Sequence, residues 1–251
     1  MRPARLAVTL TAHGSRDPRA ARATEALTRA VAARHPAWEI RASYLDHAGP
    51  RPREVLASFA AAGHRRAMLV PLLLTSAYHG RVDVPGEITA ARAACPALLV
   101  EQADVLGPVD GRVPELLMEG LDIRLGADEL DAVVLAAAGT RNAAARATVD
   151  QATAALSARL GLPCRVAYAS AAPPLSGDVV RDLRAEGYRR IGLASYFLAP
   201  GLLWDSALAS AREAGVCAVA EPLTDVPAIV ELVSARVLEA ATRPAAAALA
   251  A

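Results

Sequence analysis

Lysine is absent from the 251-residue chain: all 27 basic residues are arginine, set against 26 acidic ones for a net charge of +1. A balance this even leaves no basic footprint of the kind that holds nucleic acid. It does leave many guanidinium forks, which are well shaped to grip carboxylates. Aromatic residues are scarce, 4% of the chain, which argues against the base-stacking platforms of single-strand binders. Cysteine occurs only as Cys95, Cys164 and Cys217, far apart and without CxxC spacing. That excludes a disulfide scaffold and a structural zinc site, suits a reducing compartment, and makes the three thiols small core fillers. No apolar run approaches the roughly 18 residues of a membrane-spanning helix. The first, Leu6–Ala12, is short and ends in a polar turn without a cleavage site. A cytosolic chain with no membrane partner is expected.

What the chain has is core material, 54% apolar against 21% charged, enough to exclude wholesale disorder. Short apolar runs alternate with longer Ala/Leu/Arg stretches of helical period, the pattern of a parallel α/β sheet. Strands are expected at Leu6–Ala12, Glu39–Leu45, Arg66–Leu74 and Ala97–Glu101, then at Ala132–Ala137, Arg165–Ala169, Arg189–Phe197 and Cys217–Ala220. Helices fill the intervals, with Val109–Leu125 read as a helix bridging two halves and the last helix running from Pro227 to about Ala241.

The halves resemble one unit used twice at an offset of about 125 residues. AVTLTAHGSR at Ala7–Arg16 faces AVVLAAAGTR at Ala132–Arg141, and Glu54–Leu74 faces Asp178–Leu198 with a shared Gly-X-Arg-Arg entry to the third strand. Internal repetition of this kind predicts two tandem α/β/α domains of flavodoxin-like type. They are placed at residues 1–126 and 127–242, with an Ala-rich tail at 243–251. A duplicated chain can stand in for a dimer of single-domain chains, which is compatible with a monomer.

The repeat also locates chemistry, because scaffold duty cannot explain a polar side chain whose copy is inert. His13 faces Ala138, Asp46 faces Ser170 and His79 faces Leu203. All three follow the carboxyl end of an expected strand, where open α/β sheets form their ligand crevice. Two imidazoles and a carboxylate suit a borderline divalent metal with positions open to substrate. The domain at 1–126 is therefore read as active and its copy as silent. His47 sits beside Asp46 but adjacent side chains should diverge, so it ranks second. His35 follows a helix C-terminus, where a cationic ring would meet the dipole, and His64, whose counterpart is Tyr188, is read as an exposed ring.

Gly14-Ser15-Arg16 and its copy Gly139-Thr140-Arg141 lead into helices. They could cradle an anion at the helix N-terminus or simply cap it together with Asp17 and Asn142. Neither GxGxxG nor GxxxxGK[ST] occurs, so no nucleotide or other organic cofactor is expected. Arg16, Arg81 and Arg141 lie near the expected crevice.

These residues resemble a known family. Ala12-His13-Gly14-Ser15-Arg16-Asp17-Pro18 is similar to the opening signature of the sirohydrochlorin chelatases, the class II chelatases of siroheme and cobalamin synthesis. Tyr44-Leu45-Asp46 resembles their second-strand end, where Glu is usual. Val70–Leu74 through His79-Gly80-Arg81-Val82-Asp83-Val84-Pro85 resembles their second histidine motif, with Arg81 where Lys is common. The resemblance covers the first half closely and the second as a degenerate copy, as in the long two-domain members. It implies ATP-independent insertion of a divalent metal, Fe2+ or Co2+, into sirohydrochlorin. The metal would be a substrate, His13 and His79 would bind it with one of them accepting pyrrole protons, and Asp46 would be the acidic partner. Ser15, Arg16, Arg81 and Arg141 would meet the carboxylates of the macrocycle. Two alternatives stand beside this reading. One is a non-catalytic metal or tetrapyrrole carrier. The other is a histidine phosphatase, which would want an Arg immediately before His13, where the chain has Ala12.

Overall fold

The computed structural model describes residues 6–75, 83–126, 129–170 and 172–243. The elements run in strict alternation. The first half has β1 (Leu6–Ala12), α1 (Pro18–Arg34), β2 (Trp38–Tyr44), α2 (Pro52–Ala61), β3 (Arg66–Leu72), α3 (Val84–Ala94), β4 (Leu99–Gln102) and α4 (Glu115–Leu125). The second has β5 (Ala132–Ala137), α5 (Ala143–Leu160), β6 (Cys164–Tyr168), α6 (Ser176–Ala185), β7 (Ile191–Tyr196), α7 (Leu202–Glu213), β8 (Ala218–Val219) and α8 (Pro227–Thr242). Among the described residues no helix is long and apolar enough to cross a membrane.

Each half builds a four-stranded parallel sheet, in the orders β2-β1-β3-β4 and β6-β5-β7-β8. The first strand of each half is central and buried on both faces: Ala7, Val8 and Leu10 in one, Ala132 to Leu135 in the other, are fully enclosed. This is why those strands read as continuous apolar runs rather than as alternation. With the order 2-1-3-4 the chain reverses direction across the sheet between the first and third strands. Helices there leave on opposite faces and open a crevice beyond the strand tips. The fold is thus two doubly wound α/β domains, as the repeat implied.

One expected element is shorter than the sequence pattern promised. Val109–Leu125 is helical only from Glu115; before it, Val109 and Arg112 form an isolated antiparallel bridge. Asp110 and Gly111 in that turn have φ of 48° and 75°, values a helix does not accept, and Pro114 stands at the helix start.

The repeat places its seam at 126/127, but packing divides the chain differently. One compact unit comprises residues up to 106 together with 230 onward; the other comprises 107–229. The cause is which core each terminal helix covers. Helix α4 buries Leu117, Met118, Leu121 and Leu125 and packs on α5 and β7. It is tied there by Arg159, which pairs with Asp122 at 2.8 Å and with Glu115. Most of α8 instead contacts the first unit. Ser234 Oγ lies 2.7 Å from His35 Nε2, Glu231 pairs with Arg34 at 2.8 Å, and Arg66 Nη2 donates to the Ala241 carbonyl at 2.9 Å.

Candidate functional site

The tips of β1 and β2 carry the first two candidate residues side by side. The parallel ladder that pairs Ala12 with Tyr44 continues past both strands. Leu45 N–H donates to the Ala12 carbonyl at 3.0 Å and Asp46 N–H to the His13 carbonyl at 2.8 Å. Gly14 makes the approach feasible. Its φ is +94°, and a Cβ there would lie 1.8 Å from the Asp46 carbonyl oxygen, so only glycine fits. Below the tip, the hydroxyl of Ser43 bonds those of Thr9 and Thr11 at 2.8 and 2.9 Å. All three residues are fully buried, and this satisfied polar trio pins the β1–β2 register.

The second half repeats these backbone bonds with different side chains. Ala169 N–H donates to Ala137 and Ser170 N–H to Ala138, at 2.8 and 3.1 Å. Gly139, with φ +93°, would place a Cβ 1.9 Å from the Ser170 carbonyl oxygen. At the repeat positions of Thr9, Thr11 and Ser43 stand Val134, Ala136 and Ala167. The same tip geometry therefore exists twice, with His13 and Asp46 in one copy and Ala138 and Ser170 in the other.

His13 is half-buried, and its Nδ1 lies 3.1 Å from the Gly14 carbonyl oxygen. A proton on Nδ1 would donate to that carbonyl and put the ring's lone pair on Nε2, the arrangement a ligating imidazole uses. Asp46 is exposed and held below the usual aspartate range. The His47 backbone N–H, donating at 2.8 Å, is the main cause, and the charges of His47, His13 and Arg51 add to it. It is a carboxylate at neutral pH, which is the form a cation needs.

His47 does not diverge from Asp46 as its adjacency suggested. Its φ of 59° turns the ring back, so that Nε2 lies 3.5 Å from Asp46 Oδ2 and the ring centroid 6.3 Å from that of His13. A left-handed residue other than glycine is uncommon, and nothing in the sequence marks this one. The sequence also missed a charged cluster behind the tip. Arg51 precedes α2, donates through Nη1 to the Leu45 carbonyl, and lies 3.5 Å from Glu87 of α3 through Nη2. Glu87, only 8% exposed, also accepts from Arg53 N–H at 3.2 Å and Arg53 Nη1 at 3.4 Å.

The remaining candidates divide. His79 and Arg81 lie outside the described residues. Ser15 and Thr140 serve local turns: their hydroxyl oxygens accept from Asp17 N–H at 3.0 Å and Asn142 N–H at 3.1 Å. Asp17 and Asn142 in turn cap α1 and α5. Arg16 and Arg141 are exposed. Among the described residues no group of three His, Cys, Asp or Glu side chains could hold a metal ion.

Three further readings need correction. His35 is structural but not cationic, because burial, and then the charge of Arg34, press its pKa down; the ring stacks on Trp38 at 3.8 Å. His64 is not an exposed ring: its Nε2 lies 2.8 Å from Glu39 Oε2 and its side chain is 11% exposed. Cys217 is exposed and so fills no core, whereas burial pushes the Cys164 thiol up to about 11.

Comparison with known proteins now decides the family. The CbiX family model matches residues 7–122 and 132–240. The chain belongs to the CbiX family of sirohydrochlorin chelatases. A sirohydrochlorin cobaltochelatase of Methanosarcina acetivorans is 28% identical over 101 residues, covering 40% of this chain and 78% of that protein. One from Methanococcoides burtonii is 32% identical over 73 residues, 29% of this chain and 56% of that protein. Two solved structures share the fold along nearly the whole length. SirB from Bacillus subtilis with Fe3+ superposes with a TM-score of 0.82, covering 95% of this chain and 96% of that one. The sirohydrochlorin chelatase SirB from Bacillus subtilis subspecies spizizenii in complex with cobalt gives 0.80, covering 96% and 97%. Both are 19% identical to this CbiX member, a likeness of fold.

Proposed function

We propose that this CbiX-family chain inserts a divalent metal ion, Fe2+ or Co2+, into sirohydrochlorin without ATP. The observation that carries the reading is the pairing of His13 and Asp46 on adjoining strand tips of a chain whose family model matches along both halves. Metal insertion asks for two things at one place. A cation must be held by few enough protein groups to be passed on, and two pyrrole protons must be taken up. An ionised Asp46 beside a His13 imidazole supplies a charge to attract the metal and a nitrogen able to ligate it or accept a proton. His79 is proposed as the third contact and as the alternative base. Ser15, Arg16, Arg81 and Arg141 are proposed for the carboxylates of the macrocycle, which guanidinium groups bind in bidentate fashion.

The carboxylate and imidazole set discriminates weakly among first-row metals, so the physiological metal follows from rates. Anaerobic absorbance spectroscopy of sirohydrochlorin with excess Fe2+ or Co2+ tests the proposal, with protein present in catalytic amount. A protein-dependent rise of the metallated spectrum over many turnovers is the expected outcome, and the faster metal assigns siroheme or cobalamin synthesis. Stoichiometric metal binding with no acceleration would replace the chelatase by a carrier.

A further inference from the structure

The two halves form an internal control, because the described residues of the loop after β2 and of the loop after β6 make the same backbone hydrogen bonds. Tyr44 N–H donates to the Pro50 carbonyl and Tyr168 N–H to the Pro174 carbonyl, both at 2.9 Å. Ala48 N–H donates to Asp46 at 2.7 Å and Ala172 N–H to Ser170 at 2.8 Å. Each following helix is capped alike, by Glu54 accepting from Arg51 N–H at 2.8 Å and by Asp178 accepting from Leu175 N–H at 3.3 Å. The residue in the position of Arg51 is thus Leu175, which is 46% exposed. At the α2–α3 contact, Arg53 N–H donates to Glu87; at the α6–α7 contact, Gly177 N–H donates to Ser210 Oγ at 3.0 Å.

The silent half shows that neither the loop nor the cap needs a guanidinium or a buried carboxylate. Stability does not explain them either. An ion pair taken partly out of water recovers its desolvation cost only when its geometry is complete; here Glu87 is buried, the Arg51 side chain is 35% exposed, and the geometry is not complete. Arg51 Nη2 and Glu87 are 3.5 Å apart, and Arg51 Nε is buried with no hydrogen-bond partner among the described residues. What the pair does have is a place. The Arg51 fork ends on the carbonyl of the peptide that joins Leu45 to Asp46, in the one half whose loop carries a carboxylate.

We infer that Arg51, braced by Glu87, is a positioning residue that immobilises the Leu45–Asp46 peptide and so aims the Asp46 carboxylate at the incoming metal. The inference rests on the reading of Asp46 as a metal contact. Groups that orient a metal-binding side chain commonly change metal affinity by about 10- to 100-fold when removed.

Arg51→Leu alone would leave the buried Glu87 charge to Arg53 only, so the decisive variant is Arg51→Leu/Glu87→Gln, which removes both charges and leaves an acceptor for Arg53. Co2+ alone is titrated into wild type and variant under absorbance, followed by steady-state metallation of sirohydrochlorin. The variant is expected to keep its far-UV circular dichroism and a Tm within a few degrees of wild type. Its Co2+ affinity should fall at least about tenfold, its KM for Co2+ should rise, and its KM for sirohydrochlorin should stay unchanged. Arg51→Lys, which keeps the charge but not the fork, should regain only part of the affinity. Unfolding of the double variant would make the pair structural and overturn the inference. Unchanged or tighter Co2+ binding would overturn it too, and so would a raised KM for sirohydrochlorin alone, which would place Arg51 on the macrocycle. If wild type binds Co2+ but metallates nothing, the chelatase reading fails while the Co2+ titration still decides the role of Arg51.

Discussion

Gly14 and Asp46 are so close that a methyl group on the glycine would penetrate the Asp46 carbonyl, 1.8 Å from its oxygen. Gly14→Ala should therefore destabilise the first unit by about 2 kcal/mol or more, from the positive φ and the clash together. Gly139→Ala meets the same obstacle, with Ser170 oxygen at 1.9 Å, and should lose a similar amount. Thermal melts are expected to fall by about 4–8 °C for either. Only Gly14→Ala should also abolish Co2+ binding, since only its tip bears His13 and Asp46. Equal loss of metal binding from both variants would contradict the single-site reading.

His13→Ala should reduce metal insertion by at least about 100-fold without unfolding the protein, because Ala138 occupies the matching tip of the second half. Asp46→Asn should weaken Co2+ binding strongly, and Asp46→Glu should keep much of it by preserving the charge. The His47 N–H holds the Asp46 carboxyl below its ordinary value, so it stays ionised above about pH 4. The acid limb of a pH–rate profile should then be insensitive to Asp46→Glu. A limb that shifts upward in that variant would give the titration to Asp46 after all.

Protonating His35 should weaken the packing of α8 around Ser234 within the first unit. Burial lowers the pKa of its ring in the fold, so on acidification the unfolded chain takes up the proton first. The stability held by the neutral ring declines as pH falls from about 6.5 toward the folded value, and levels off below it. Trp38, stacked on His35 at 3.8 Å, is the reporter. Denaturant melts followed by tryptophan emission in a Trp204→Phe background should show a lower midpoint at pH 5 than at pH 7. His35→Gln should remove most of the difference, and persistence of the full pH effect in that variant would acquit His35.

Glu39 loses its contribution in the same direction, as pH falls, but in a lower window. His64, bonded at 2.8 Å, and then Arg41 hold its carboxyl below the ordinary glutamate range. Its contribution to stability is present above about pH 4.5 and disappears as pH falls through the lowered folded value. Glu39→Gln should flatten stability below pH 4.5 and cost under about 1 kcal/mol at pH 7, because the group is partly exposed and screened. An unchanged acid limb in guanidinium melts would show that other carboxylates dominate it.

Strand and helix positions were legible because period and composition act locally. Thirteen buried residues of one apolar cluster in the second half lie almost entirely in elements the sequence already marked. Where the reading failed, the missing information was not local. The helix expected from Val109 starts at Glu115 because two left-handed residues interrupt it. His47 joins the tip through a φ that its residue type does not announce. Glu87, in the first turn of an ordinary helix, is charged by sequence and buried by what α2 places over it.

By itself the sequence determined the duplicated α/β plan and where the two copies differ in side chain, since periodicity, glycine positions and the exchange of His13 for Ala138 are properties of the chain alone. Tertiary structure decided which core each terminal helix covers. An amphipathic face states that it must be buried but not against what, and α4 and α8 part along lines the repeat does not follow. It also decided the electrostatics of the tip, because the N–H on Asp46, the ring of His47 and the fork of Arg51 converge only when β2, its loop and α2 have closed on one another.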